Sequence, residues 1–296
     1  MSSVGVDFDF PRWLATRRGQ MEQSARIGSA YAYVGEQRFR RTLGMARPVT
    51  MALEATTRLW KDVARTELLG TAVKVTDQQF PRVWEAAKKA GGLLDVRVPA
   101  IFATPAKGIK IKVLGTEDSP HLLVNLELAE KLEDYELVAA IAHELAHVQN
   151  GHILYATALH YLNTSAAFFV RWVVQPAIMT LQAWSRRAEV TCDRASLLAV
   201  RDLDKTLTAM VRLELGLDKG SAFNAEEYLK APPDLKKGLG RYAELFRSYP
   251  YVPKRVAALK LFGESAMFAQ LLGQDLTGKL SLPEIDKQVG DLISVF

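Results

Sequence analysis

A run of good helix formers, Leu137-Val138-Ala139-Ala140-Ile141-Ala142, leads without a glycine or proline into His143-Glu144-Leu145-Ala146-His147, and the first glycine after it is Gly151. The stretch is predicted to be helical. On a helix, residues four apart lie one turn above each other, so both imidazoles leave from one face with Glu144 beside them. Two ring nitrogens and a neighbouring carboxylate, arranged in this H-E-x-x-H spacing, can hold a zinc ion and activate its water.

Three fixed residues occur by chance, so the reading needs a further ligand. A second helical stretch, Ser185 to Ala195, carries Glu189 and Asp193 at i and i+4. One carboxylate can complete a His2Glu site with an open fourth position. The other can accept a hydrogen bond from the far nitrogen of a ligand histidine and fix its tautomer.

Together these two motifs resemble the gluzincin metallopeptidases of the HtpX, CAAX-prenyl-protease and mitochondrial OMA type. The resemblance extends upstream through Gly70-Thr71-Ala72-Val73-Lys74-Val75 and Leu123-Val124-Asn125, and downstream to Tyr249-Pro250-x-x-Pro253-x-Arg255-Val256, so it covers roughly residues 70 to 262. It implies a zinc-dependent endopeptidase with one Zn2+ per chain, held by His143, His147 and Glu189. Glu144 is then the general base, taking a proton from the water and passing it to the leaving amine, and Asp193 orients a ligand imidazole.

The family's His-Pro is Tyr249-Pro250 here. Tyr249 is therefore a candidate oxyanion donor, with packing against the proline as its alternative. Arg255 either pairs with a carboxylate near the site or makes a surface salt bridge. The resemblance also implies an edge strand that binds extended substrate backbone. The segment Ile109-Lys110-Ile111-Lys112-Val113, alternating apolar and basic between Gly108 and Gly115, reads as a half-buried strand and is the candidate. It lacks the Asn-Ala-Phe-like run that the family often carries there.

The expected fold class is α+β, mostly helical: a zincin-like metallopeptidase domain with a small β-sheet whose edge strand faces the active-site cleft, plus helical N- and C-terminal appendages. Boundaries fall at 1–69, 70–265 and 266–296, with an apolar helical insertion at 153–184 between the motifs. Helix is expected from Phe80 to Ala90, ended by Gly91-Gly92, and Asp134 is the expected cap of the helix bearing His143. Ala166 to Trp184 approaches the length of a membrane span, but Arg171 would cost about 2.5–3.5 kcal/mol near a bilayer centre. A buried or amphipathic hairpin is favoured there. Residues 48–63 present a helical pattern, read as packing on the catalytic domain, with a membrane-surface or partner-binding helix as the sharper alternative.

The 296 residues are 49% apolar and 24% charged, ordinary for a chain that buries a core. Net charge is +5, but no basic run is interleaved with aromatics, which argues against nucleic acid as a partner. Cys192, the one cysteine, excludes an intramolecular disulfide; it reads as a small buried residue or as a thiol close to the metal. No secretory signal is recognisable at the start, so the chain reads as intracellular and cytoplasmic, with membrane association left open through 153–184 or the N-terminal helices. His152 is read as structural rather than as a further ligand, and His121 and His160 have no partner spacing. Two other function classes remain: a zinc-binding scaffold with little or no turnover, and a membrane-associated helical interaction protein.

Overall fold

The computed structural model describes residues 29–60, 65–105, 110–165, 168–217, 224, 227 and 243–294. Ile109 and the chain before residue 29 lie outside them. Helices α1 (Val34–Leu43), α2 (Arg47–Leu59) and α3 (Arg65–Gly70) come first. Strand β1 (Val73–Lys74) and helix α4 (Pro81–Leu94) lead to β2 (Ala100–Thr104), β3 (Ile111–Thr116) and β4 (Ser119–Asn125). Then follow α5 (Leu126–Lys131), α6 (Asp134–Gln149), α7 (Ile153–Ser165), α8 (Phe168–Val200) and α9 (Leu203–Leu215). A 3-10 turn at Glu244–Phe246 precedes α10 (Val252–Gly263), α11 (Ala266–Leu271) and α12 (Leu282–Ile293). The fold is mostly helical with one small mixed sheet, as the α+β expectation has it.

The sheet runs β1-β2-β4-β3, with β2 and β4 parallel and the outer pairs antiparallel. The alternation Ile111, Val113 against Lys112 sets the register, Ile111 facing Val124 and Val113 facing Leu122, so the apolar side chains enter the core. Among the described residues β3 has β4 on one side and no strand on the other.

Helix α6 lies at the centre, against α4, α8, α9 and β3. Its small and branched residues Leu137, Ile141, Ala142, Leu145 and Ala146 are fully buried, and its most extensive packing is against α8. The cap of α6 differs from expectation. Glu133, not Asp134, is the N-cap, in a capping box with Glu136, while Asp134 is turned to Arg82 at 2.7 Å.

Helix α4 runs on through Gly91-Gly92 to a left-handed cap at Asp95 (φ 50°), four residues beyond the expected end. The close approach explains Gly91: a Cβ there would lie 2.5 Å from Val98 Cγ2. Helix α8 is one continuous element that holds Pro176 inside it and carries both Glu189 and Asp193. In its first half Ile178, Leu181 and Trp184 are buried against Leu43 and Val49 from α1 and α2 and Leu159 from α7. Among the described residues no helix is long and apolar enough to cross a membrane.

Candidate active site

Helices α6 and α8 bring the two motifs face to face. From α6, His143 Nε2 lies 3.2 Å from Glu189 Oε2 and His147 Nε2 lies 3.8 Å from Glu189 Oε1. The opposite nitrogens are occupied: His143 Nδ1 is 3.1 Å from Asp193 Oδ1, and His147 Nδ1 is 3.1 Å from His152 Nδ1. Both imidazoles therefore turn the same atom, Nε2, towards one carboxylate.

The donor set suits a divalent cation. Burial alone would depress the His143 imidazole, but Glu189 and Asp193 outweigh it and push it up to about 10, a measure of the negative charge converging there. His147 is pushed well down by burial, reinforced by the charge of the neighbouring histidines and Lys112. Asp193 is buried, which would raise it; the guanidinium of Arg255 and the His143 ring reverse this and hold it below the usual carboxylate range. Arg255 from α10 grips Asp193 with two bonds, Nε to Oδ2 at 2.9 Å and Nη2 to Oδ1 at 2.6 Å, and sits 3.4 Å from Glu189. Of the two readings of Arg255, the buried pairing near the site is the observed one.

Glu144, also on α6, reaches the sheet. Its Oε2 accepts a hydrogen bond from the Val113 amide at 2.7 Å, on the side of β3 away from β4. Burial raises the carboxyl to about 7, against the lowering pull of His143, the Val113 amide and Lys112. Two cavities flank it. One, of about 250 Å3, is bordered by Lys110, Ile111, Lys112, Ala140, Met210 and Tyr249. The other, of about 160 Å3, lies towards His147, His160, Asn163 and Ser248, again with Lys112 and Tyr249 at its rim. Tyr249 is thus 38% exposed and common to both.

Cys192 is fully buried, and its sulfur lies within 4.8 Å of ligand-type nitrogens of His143 and His147. Burial, reinforced by Glu189 and Glu144, pushes the thiol up. His121 is buried between Trp60 and Phe102, its Nδ1 3.0 Å from the Ser119 carbonyl. Lys112, a residue of the candidate substrate strand, borders both cavities. Two contributions escape a reading of the sequence. His152 contacts His147, and Glu36 from α1 lies behind His152. For His152 the signal was local, an Asn-Gly helix end that folds the chain back; for Glu36 there was none.

Residues 113–262 match the model of peptidase family M48. A plastoglobule-localized metallopeptidase 48, chloroplastic, from Arabidopsis thaliana is 30% identical over 155 residues, which are 51% of this chain and 45% of that protein. A protease HtpX homolog 2 from Methanosarcina acetivorans is 24% identical over 208 residues, 57% of this chain and 64% of that one. The chain thus spans less than two thirds of either relative's length. No solved structure matches. The family match takes in both helices that carry the converging histidines and carboxylate, and it extends over just more than half of the 296 residues: this chain belongs to peptidase family M48.

Proposed function

We propose that the chain is a zinc-dependent endopeptidase in which His143, His147 and Glu189 hold the metal. One observation carries this: the Nε2 atoms of both histidines face the same carboxylate while their Nδ1 atoms are already engaged by Asp193 and His152. Lone pairs so directed have no partner other than Glu189 among the described residues, and the excess of carboxylate charge favours a cation between them. A zinc ion held there supplies Lewis acidity, drawing the pKa of a water towards about 7 and polarising a carbonyl.

The remaining steps belong to the protein's own groups. Glu144 accepts the proton of the attacking water as its oxygen bonds to the scissile carbonyl carbon. The same carboxyl then returns a proton to the amide nitrogen as the C–N bond breaks, so the products are a carboxylate and an amine. Asp193, gripped by Arg255, keeps the proton of His143 on Nδ1 and the ring in its orientation. Tyr249, at the rim of both cavities, is suited to donate its hydroxyl to the developing oxyanion.

Substrate backbone is expected to add to β3 through Lys110, Ile111, Lys112 and Val113, all of which border the cleft. The Val113 amide now bonded to Glu144 would pass to a substrate carbonyl, freeing the base. Cavities on both sides of Glu144 let a peptide continue in each direction, which favours cleavage within a chain over removal of a terminal residue. The test is metal analysis combined with cleavage of casein and of an internally quenched peptide blocked at both ends. Glu144→Gln should retain about one zinc per chain and lose at least about 10²-fold in cleavage rate. Unchanged cleavage by Glu144→Gln, or wild-type protein without zinc, would overturn the assignment.

A further inference from the structure

Helix α6 ends in His147-Val148-Gln149-Asn150-Gly151-His152. Gly151 takes the left-handed conformation (φ 66°), its amide reaches the Val148 carbonyl at 3.3 Å, and the His152 amide reaches the His147 carbonyl at 2.9 Å. This is the Schellman arrangement, which folds the second residue past the cap back onto the residue that begins the last turn. In most proteins that contact is apolar. Here it is one imidazole on another: the rings lie 5.2 Å apart at 67°, with the two Nδ1 atoms 3.1 Å apart.

His152 has no exposed surface, and its Nε2 lies 3.3 Å from Oε1 of Glu36, also fully buried. The approach is close but off the ideal axis for a hydrogen bond, and Glu36 Oε2 has no hydrogen-bond partner. Trp184 Nε1 donates to the same Oε1 at 3.1 Å, and Arg40 lies 3.6 Å away. A carboxylate this deep is costly unless something uses its charge. Glu36 stands on α1, outside the residues that match the family.

We infer that Glu36 and His152 are positioning residues for the metal, acting through His147. The inference rests on His147 being a zinc ligand. With His147 Nε2 turned to the metal, its proton sits on Nδ1 and is donated to His152 Nδ1. The proton of His152 then sits on Nε2 and faces Glu36. The carboxylate thereby fixes both tautomers and makes His147 a stronger donor, from a helix that contributes nothing to the ligand set itself.

The experiment is zinc affinity, by competition with a fluorescent chelator, on the full chain. It compares wild type with Glu36→Gln, His152→Leu, the double variant, His152→Gln and His147→Ala, with folding checked by circular dichroism. Glu36→Gln and His152→Leu should each weaken zinc binding by about 10- to 100-fold. The double variant should be no weaker than His152→Leu alone, because Glu36 works only through His152. His152→Gln, whose amide can accept and donate across a similar span, should recover most of the loss. Wild-type affinity in Glu36→Gln, or losses that multiply in the double variant, would overturn the relay. If His152→Leu does not fold, Glu36→Gln and His152→Gln decide. Wild-type protein that holds zinc no better than His147→Ala would instead overturn the ligand assignment itself.

Discussion

Tyr249 is the residue whose role the chemistry leaves most sharply divided. It precedes Pro250, is 38% exposed and borders both cavities, so its phenol can reach a carbonyl lying over Glu144 or can merely wall the cleft. A hydrogen bond made only to the oxyanion appears in turnover and not in substrate binding. Tyr249→Phe should therefore lower kcat by about 10²-fold, with KM within about twofold and zinc content unchanged; steady-state kinetics on the blocked peptide decide it. Equal kinetics would leave Tyr249 a wall residue. At this scale the convergence of His143, His147, Glu189 and Asp193 was legible in the sequence, because four-residue spacing on a helix fixes which side chains share a face. Glu36 was not, since only folding brings it to His152, and a glutamate on an arginine-rich helix reads as solvated. For Lys112, alternation says which face of a strand the side chain takes, not what stands opposite, so its place at the rim of both cavities comes from the structure.

At the level of elements, Gly91 and Gly92 look alike in the sequence and do opposite things. Both are helical, and both would be read as a stop because glycine is the usual residue past a helix end. The helix continues because Gly91 lets α4 approach the Val96–Val98 segment: a Cβ there would lie 2.5 Å from Val98 Cγ2 and 3.0 Å from the Val96 carbonyl. Gly92 faces solvent, with nothing within 4 Å of an added Cβ. Gly92→Ala should stabilise the protein by about 0.5–1 kcal/mol, the ordinary gain in helix propensity. Gly91→Ala should lose more than that gain, for a net cost of about 1–2 kcal/mol, because a β-branched neighbour and a carbonyl have little freedom to yield. Urea unfolding of the two variants checks both signs, and stabilisation by Gly91→Ala would refute the packing argument. The same limit explains other boundaries. Pro176 stays inside α8, and β1 is only two residues long, because neighbours rather than local propensity decide where an element ends. Element type was readable from periodicity; element length depended on contacts that one segment does not record.

Across the whole molecule, the chain termini of the described fold are joined to its centre by one buried carboxylate. Asp286 of α12 is 2.6 Å from Arg194 of α8 and accepts the Val34 amide, the first of α1, at 2.9 Å. Arg194 is 1% exposed, also donates to the Tyr31 carbonyl at 3.1 Å, and stacks over Phe262. Tyr33, Val190, Ala258, Ile285, Val289 and Ile293 close an apolar cluster around this clasp, drawn from the N-terminal segment, α8, α10 and α12. Since α8 also carries Glu189 and Asp193, loosening the clasp should loosen the helix that bears the proposed metal ligand. Segments that share a core in this way should unfold together. Tryptophan fluorescence, to which Trp184 beside Glu36 contributes, and far-ultraviolet circular dichroism should then follow one thermal transition. Asp286→Asn keeps the shape and an acceptor for Val34 but leaves the Arg194 charge without its partner. The cost should be about 3 kcal/mol, at the lower end for a broken buried pair because the Tyr31 carbonyl and the Phe262 ring remain. Both probes should move down together. A fluorescence change that ran ahead of the dichroism would mean that α1 and α12 detach as separate units, and zinc affinity would then fall at that first step, because Glu36 leaves with α1.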